Sequence, residues 1–169
     1  MMQNTSLIHS GRLTAVFVVF AAGLAGVVTP TSGQVIDEEQ KLLASDGGVA
    51  DWFGKSVSVS GKTAVVGASG TDENGPESGS AYVFEKAGGV WVQQAKLLAA
   101  DGEPHDEFGY AVAVSGETTV VGAHWDEDFG FGSGSVYVFE KVGGIWVQQA
   151  KLLAADGGEH ARFGGAVFV

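Results

Sequence analysis

Any chemistry this chain performs would start at HWDEDFGFGSGS, residues 124–135, where His124, Asp126, Glu127 and Asp128 crowd together. Adjacent carboxylates attract hard cations. Calcium, however, takes about six to eight oxygens, and strong loop sites space them at alternate positions and close with a bidentate glutamate. Here the carboxylates are consecutive, and the matching stretch earlier in the chain, SGTDENGPESGS, offers only Asp72 and Glu73 at those places. Asp72, Glu73, Asp126, Glu127 and Asp128 are therefore candidates for weak calcium binding, set against the plainer reading of a solvated loop. His105 and His160 share a register but have different neighbours, Asp106 and Ala161, and single histidines far apart in sequence do not define a zinc site. No nucleophile elbow, H-E-x-x-H, phosphate loop or dinucleotide fingerprint is present, and GSGS at 132–135 has no phosphate-handling lysine after it. The residues thus predict neither an enzyme nor a definite cofactor.

Composition narrows the partners. The chain of 169 residues carries 20 acidic against 9 basic side chains, a formal charge of −11. Nucleic acid is excluded as a partner, because phosphate binding needs a basic surface; a cation, a basic protein or a glycan is compatible. The 27 glycines follow no collagen period and so mark tight turns, and the lack of cysteine leaves packing as the source of stability. Leu13 to Val28 is apolar throughout, Pro30 breaks it, and small residues follow. That pattern reads as a signal peptide over 1–33, short of the ~20 residues that span a bilayer. The expected location is secreted or at the cell surface, with nothing spanning the membrane after cleavage.

The side chains need a scaffold, and the chain announces one by repetition. KLLA opens at Lys41, Lys96 and Lys151, and residues 41–95 match 96–150 at 34 of 55 positions without a gap. A third copy fills 151–169. Within a unit, Phe53–Ser60, Thr63–Ala68, Ser80–Lys86 and Val90–Leu98 read as strands, rich in β-branched and aromatic residues and punctuated by Gly-Lys and Gly-Gly turns. Thr63–Ala68 is apolar on both faces, as expected of a strand between layers. Four short antiparallel strands per 55-residue unit predict an all-β chain, a partial β-propeller of about two and a third blades. Trp91 and Trp146 recur in register and read as packing residues. The segment 35–44 aligns with the fourth strand of a unit, and the remaining blades are expected to be missing from a chain that stops inside a copy.

Each unit joins Phe-Gly (Phe53-Gly54, Phe108-Gly109) to Gly-Ala (Gly67-Ala68, Gly122-Ala123), and with SGSAYVFE in register this resembles the FG-GAP repeat of integrin α-subunit and bacterial secreted propellers. The resemblance covers 41–169. It would imply calcium in copies that carry a DxDxDG loop between the first two strands; SGKT and SGET stand there, so no such site carries over.

Differences between copies gather at 48–52 against 103–107 and 69–77 against 124–132, two connections that leave an up-and-down blade on the same side. Those connections and their Asp-Gly turns hold 14 of the 20 acidic residues. Asp51, Asp106, Glu107, His124 and Trp125 are accordingly the candidate binding-face residues, since loops over a rigid scaffold carry recognition. The expected function is an exported, non-catalytic binding or adhesion module with a protein or glycan ligand. Its rivals are the propeller scaffold of a secreted enzyme or carbohydrate-binding protein with its site elsewhere, and a non-functional truncated product.

Overall fold

The computed structural model describes residues 40–169; the leader read over 1–33 and residues 35–39 of the expected initial strand lie outside them. Eight strands form two sheets. β1 (Val57–Ser60), β2 (Thr63–Ala68), β3 (Ser80–Ala87) and β4 (Val90–Leu97) make blade 1, and β5 (Ala111–Ser115), β6 (Thr118–Ala123), β7 (Ser135–Val142) and β8 (Ile145–Leu152) make blade 2. Each blade is an antiparallel meander in chain order, and no helix occurs among the described residues. The fold is thus all-β, with one blade for each full 55-residue unit.

Local chemistry explains the register. Gly88 and Gly89 both take positive φ, 59° and 90°, as the tight β3–β4 hairpin demands, and Gly143 and Gly144 repeat the pair at 59° and 87°. Val83 pairs with Ala95 while Phe84 pairs with Gln93, so Gln94 is the extra residue of a bulge; Gln149 is its counterpart in blade 2. The strand expected from Phe53 begins only at Val57. Phe53–Ser56 are spent on a turn, in which Lys55 N–H donates to the Trp52 carbonyl at 3.0 Å. Residues 40–44 form no strand: no β3-like neighbour flanks them among the described residues, and Gln40 holds them to Trp91 through its side-chain amide at 2.7 and 2.8 Å.

The recurring Phe-Gly and Gly-Ala pairs are the two halves of the joint between blades. Gly109 N–H donates to the Gly122 carbonyl of its own blade at 3.0 Å, while Ser56 Oγ of blade 1 donates to the Gly109 carbonyl at 2.8 Å. A β-carbon at Gly67 would overlap that same carbonyl oxygen, so the Gly of Gly-Ala is required by close backbone approach. Phe108 turns inward and meets Tyr137 and Phe139 edge-on at 5.3 and 6.0 Å; Phe53 meets Tyr82 and Phe84 likewise at 5.5 and 6.1 Å. The main core lies between the blades, with Val65, Val83 and Leu97 of blade 1 against Phe108, Val112, Val114, Phe139 and Trp146 of blade 2. A smaller cluster of Val66, Tyr82 and Phe84 backs blade 1, with Leu42, Phe53 and Trp91 packed on it. Trp146 is buried and Trp91 half-buried, which agrees with a packing role for both.

Candidate functional site

The β2–β3 and β6–β7 loops and the β4–β5 connection share one end of the blades, opposite the glycine turns. Backbone bonds tie them together. His105, Glu107 and Phe108 donate N–H groups to the carbonyls of Pro76, Glu77 and Ser78 at 2.8, 3.0 and 3.0 Å, and His160, Arg162 and Phe163 repeat this to Phe131, Gly132 and Ser133 at 2.8, 3.0 and 2.9 Å. The chain adopts left-handed φ at His105 and His160, and again at Glu107 and Arg162, where these bonds form, and at the matching Ala50 and Trp52. Such conformations are costly for residues other than glycine and persist only where the surroundings impose them. The backbone is therefore held fixed at positions where the side chain is free to differ, from tryptophan to glutamate to arginine.

Three of the five carboxylates considered for calcium, Glu73, Asp126 and Asp128, pair with lysine ammonium groups. Lys151 Nζ stands 2.9 Å from Asp101, 2.9 Å from Asp126 and 2.7 Å from Asp128, and Tyr137 OH donates to Asp126 at 2.8 Å. Burial opposes the lysine charge, but the three carboxylates outweigh it and hold the ammonium pKa well above the usual lysine range. In blade 1, Lys96 bonds Asp46 at 2.7 Å and also Glu73, while Asp72 accepts the Glu77 N–H at 2.8 Å and closes its own loop. Glu127 stands exposed beside this cluster. Among the described residues, no group of three or more histidine, aspartate or glutamate side chains is arranged to hold a metal ion.

The binding-face candidates divide by role. Asp51 and Asp106 each commit a carboxylate oxygen to the N–H three positions back, accepting from Gly48 at 2.5 Å and from Glu103 at 2.8 Å. Asp106 is buried, and burial, reinforced by the nearby Asp126, pushes its carboxyl up to about 6 against the Glu103 hydrogen bond. His124 is not on the surface: it is buried against Tyr110, ring centroids 3.7 Å apart, with Nδ1 unbonded and 4.0 Å from Glu107. Burial, with the charges of Arg162 and Lys55 nearby, holds the imidazole down at about 4. Burial also raises the Glu107 carboxyl.

Trp125 and Glu107 do reach a common cleft. It measures ≈ 480 Å³ and lies where the two blades' loops meet, walled by Glu77, Glu103, Pro104, His105, Asp106, Glu107, Trp125, Glu127 and Phe131. Trp125 and Phe131 lie 5.5 Å apart, and His160 meets Phe131 edge-on at 5.3 Å. The Arg162 guanidinium sits 4.6 Å from the Trp125 ring centre. Sequence reasoning missed Glu77, Glu103 and Phe131 as walls, and Lys96 and Lys151 as neutralising groups. One signal was available for the lysines: each follows its Asp-Gly aspartate by 50 residues, Asp46 to Lys96 and Asp101 to Lys151.

A family model described as the FG-GAP repeat matches residues 36–84 and 91–139, more than half of the chain. Comparison with curated proteins gives no match. Each matched stretch runs from before a Phe-Gly turn into the third strand of a blade, so it contains a Phe-Gly and a Gly-Ala pair.

Proposed function

This chain belongs to the FG-GAP repeat family, and from that premise we propose that it is an exported, non-catalytic binding module that takes a basic segment of a protein partner into the cleft between its blades. Export rests on the apolar run Leu13–Val28, and suits a family of repeats common in extracellular proteins. The observation that carries the binding reading is the wall of the cleft, which Glu77, Glu103, Glu107 and Glu127 share with Trp125 and Phe131. Carboxylates select a cation, and an aromatic face holds one by cation–π attraction worth about 0.5–1 kcal/mol at an exposed site. Arg162 over Trp125 is an internal precedent for a guanidinium on that ring.

The test is fluorescence anisotropy of a labelled oligo-arginine peptide, with oligo-glutamate as control. We expect saturable, salt-sensitive binding that W125A weakens about 2- to 5-fold, the size of one such contact. E103Q/E127Q should weaken it as well, whereas E117Q/E140Q, two carboxylates toward the glycine-turn end, should leave it unchanged. Equal loss in both double variants, or none with W125A, would reduce the effect to general charge attraction.

A further inference from the structure

We infer that the Asn74–Gly75 link is a site of spontaneous modification, where the Asn74 carboxamide loses ammonia and the product loosens the joint between the loops of the two blades. Asparagine is a chemically labile residue, and Asn74 stands exposed in the β2–β3 loop. Gly75 follows it at a φ of 122°, with no side chain to shield its backbone nitrogen. That nitrogen attacks Asn74 Cγ; the Cγ–Nδ2 bond breaks, and the amine departs as ammonia with the proton of the Gly75 N–H, leaving a cyclic imide. Water then opens the ring at Cγ, which gives aspartate, or at the Asn74 backbone carbonyl, which gives isoaspartate. In isoaspartate the main chain runs through Cγ and is longer by a methylene.

Blade 2 shows that the residue, not the backbone, makes the site. Asn74 N–H donates to Ser78 Oγ at 3.1 Å and Gly75 N–H to the Asp72 carbonyl at 3.1 Å; Phe129 and Gly130 repeat these bonds to Ser133 and Glu127 at 3.2 and 2.9 Å. The turn is the same, but Phe129 has no carboxamide to lose. Because the Asp72 carbonyl holds the attacking nitrogen, the reaction waits for this turn to open and runs slower in the folded chain than in the unfolded one. Its products disturb the clamp between the loops. Asn74 Nδ2 donates to the Ala99 carbonyl at 3.3 Å, and a carboxylate in its place sets an acceptor against an acceptor. A β-carbon on Gly75 would come within 2.6 Å of Pro104 Cγ, so the added methylene of isoaspartate falls where the loop already presses on Pro104. The next residues, Pro76, Glu77 and Ser78, are those that accept the N–H groups of His105, Glu107 and Phe108.

Peptide mapping of the purified chain, aged in warm and mildly alkaline buffer, tests this. The tryptic peptide 63–86, which holds Asn74, should take on the mass of an NH exchanged for O and resolve into two products. An isoaspartate-specific methyltransferase should label one of the two. Conversion should run faster in urea, and N74Q, whose longer side chain does not close the same ring, should stay unmodified. Hydrogen exchange in the aged chain should quicken about 2- to 10-fold at the amides of 105–108, the worth of about one hydrogen bond, while 160–163 stay as they were. A folded chain in which Asn74 survives, whether or not the unfolded chain converts, overturns the site. Conversion that leaves exchange at 105–108 unchanged overturns the loosening.

Discussion

Blade 1 and blade 2 are nearly the same sequence in different surroundings. Val57 and Val59 face open space while Val112 and Val114, their counterparts, are 8% and 6% exposed. Propensity cannot account for this, since the residues are identical; only β5 has another blade against that face. In repeat architectures stability is approximately intrinsic repeat terms plus nearest-neighbour interfaces, and this pair of valines separates the two. The loops show the converse. Their backbones superpose in hydrogen bonding while Ser69 gives way to His124, Gly70 to Trp125 and Thr71 to Asp126, so the shared scaffold carries unlike side chains.

The comparison breaks hardest at the lysines. Lys151 neutralises Asp126, whose side chain is almost wholly buried, together with the more exposed Asp101 and Asp128. Lys151→Met should cost roughly 3–5 kcal/mol, the usual price of leaving a buried charge unpaired. Lys96→Met, whose partners Asp46 and Glu73 are solvent-accessible, should cost about 1 kcal/mol or less. Urea unfolding measures both. Equal losses would mean that the two carboxylate groups are equivalent and that Asp126 adds nothing. A calcium-dependent rise in melting temperature confined to the Lys151→Met protein would show that the lysine occupies a place a cation could fill.

A smaller effect separates the valines. Val112→Ala removes two buried methyl groups' worth of contact and leaves a gap, about 2 kcal/mol. Val57→Ala, at an exposed site, should stay within about 0.5 kcal/mol. A loss at Val57 matching that at Val112 would show that its face is covered in solution.

What could be read from the chain beforehand was what is local or periodic. Gly88-Gly89 and Gly61-Lys62 specify hairpins by themselves, Thr63–Ala68 declares a doubly covered strand by its composition, and the 55-residue spacing supplies the blades. The candidate site was less legible because it is assembled across repeats. Asp101 meets Lys151 over 50 residues, Glu107 reaches the wall beside Glu77 through a backbone bond between blades, and neither proximity leaves a trace in nearby sequence. His124 reads as a loop residue and is one, yet Tyr110 from another connection buries it. Asp51 and Asp106 read as display residues, but their spacing to Gly48 and Glu103 lets each close its own turn.

The subtlest contrast between the blades is electrostatic, because blade 2 buries two titratable groups that pull stability in opposite directions. His124 titrates near 4 in the folded chain against an ordinary 6.5, so between those values the unfolded chain binds a proton the native chain does not, and acidification destabilises. Asp106 titrates near 6 against an ordinary 3.8, so across an overlapping window the native chain binds the extra proton, and acidification stabilises. Glu107, also raised, adds to the second effect, while Asp46 and Asp101, both lowered, act only below about pH 4. The two main contributions oppose each other in the wild type. Replacing His124 by the serine that blade 1 carries at Ser69 removes one of them: His124→Ser should become more stable, relative to wild type, as pH falls from 6.5 to 4.5. Asp106→Asn should move the opposite way over the same interval. Urea midpoints at three pH values in this window measure both. Parallel curves for all three proteins would mean that neither group is desolvated as its place between the blades requires.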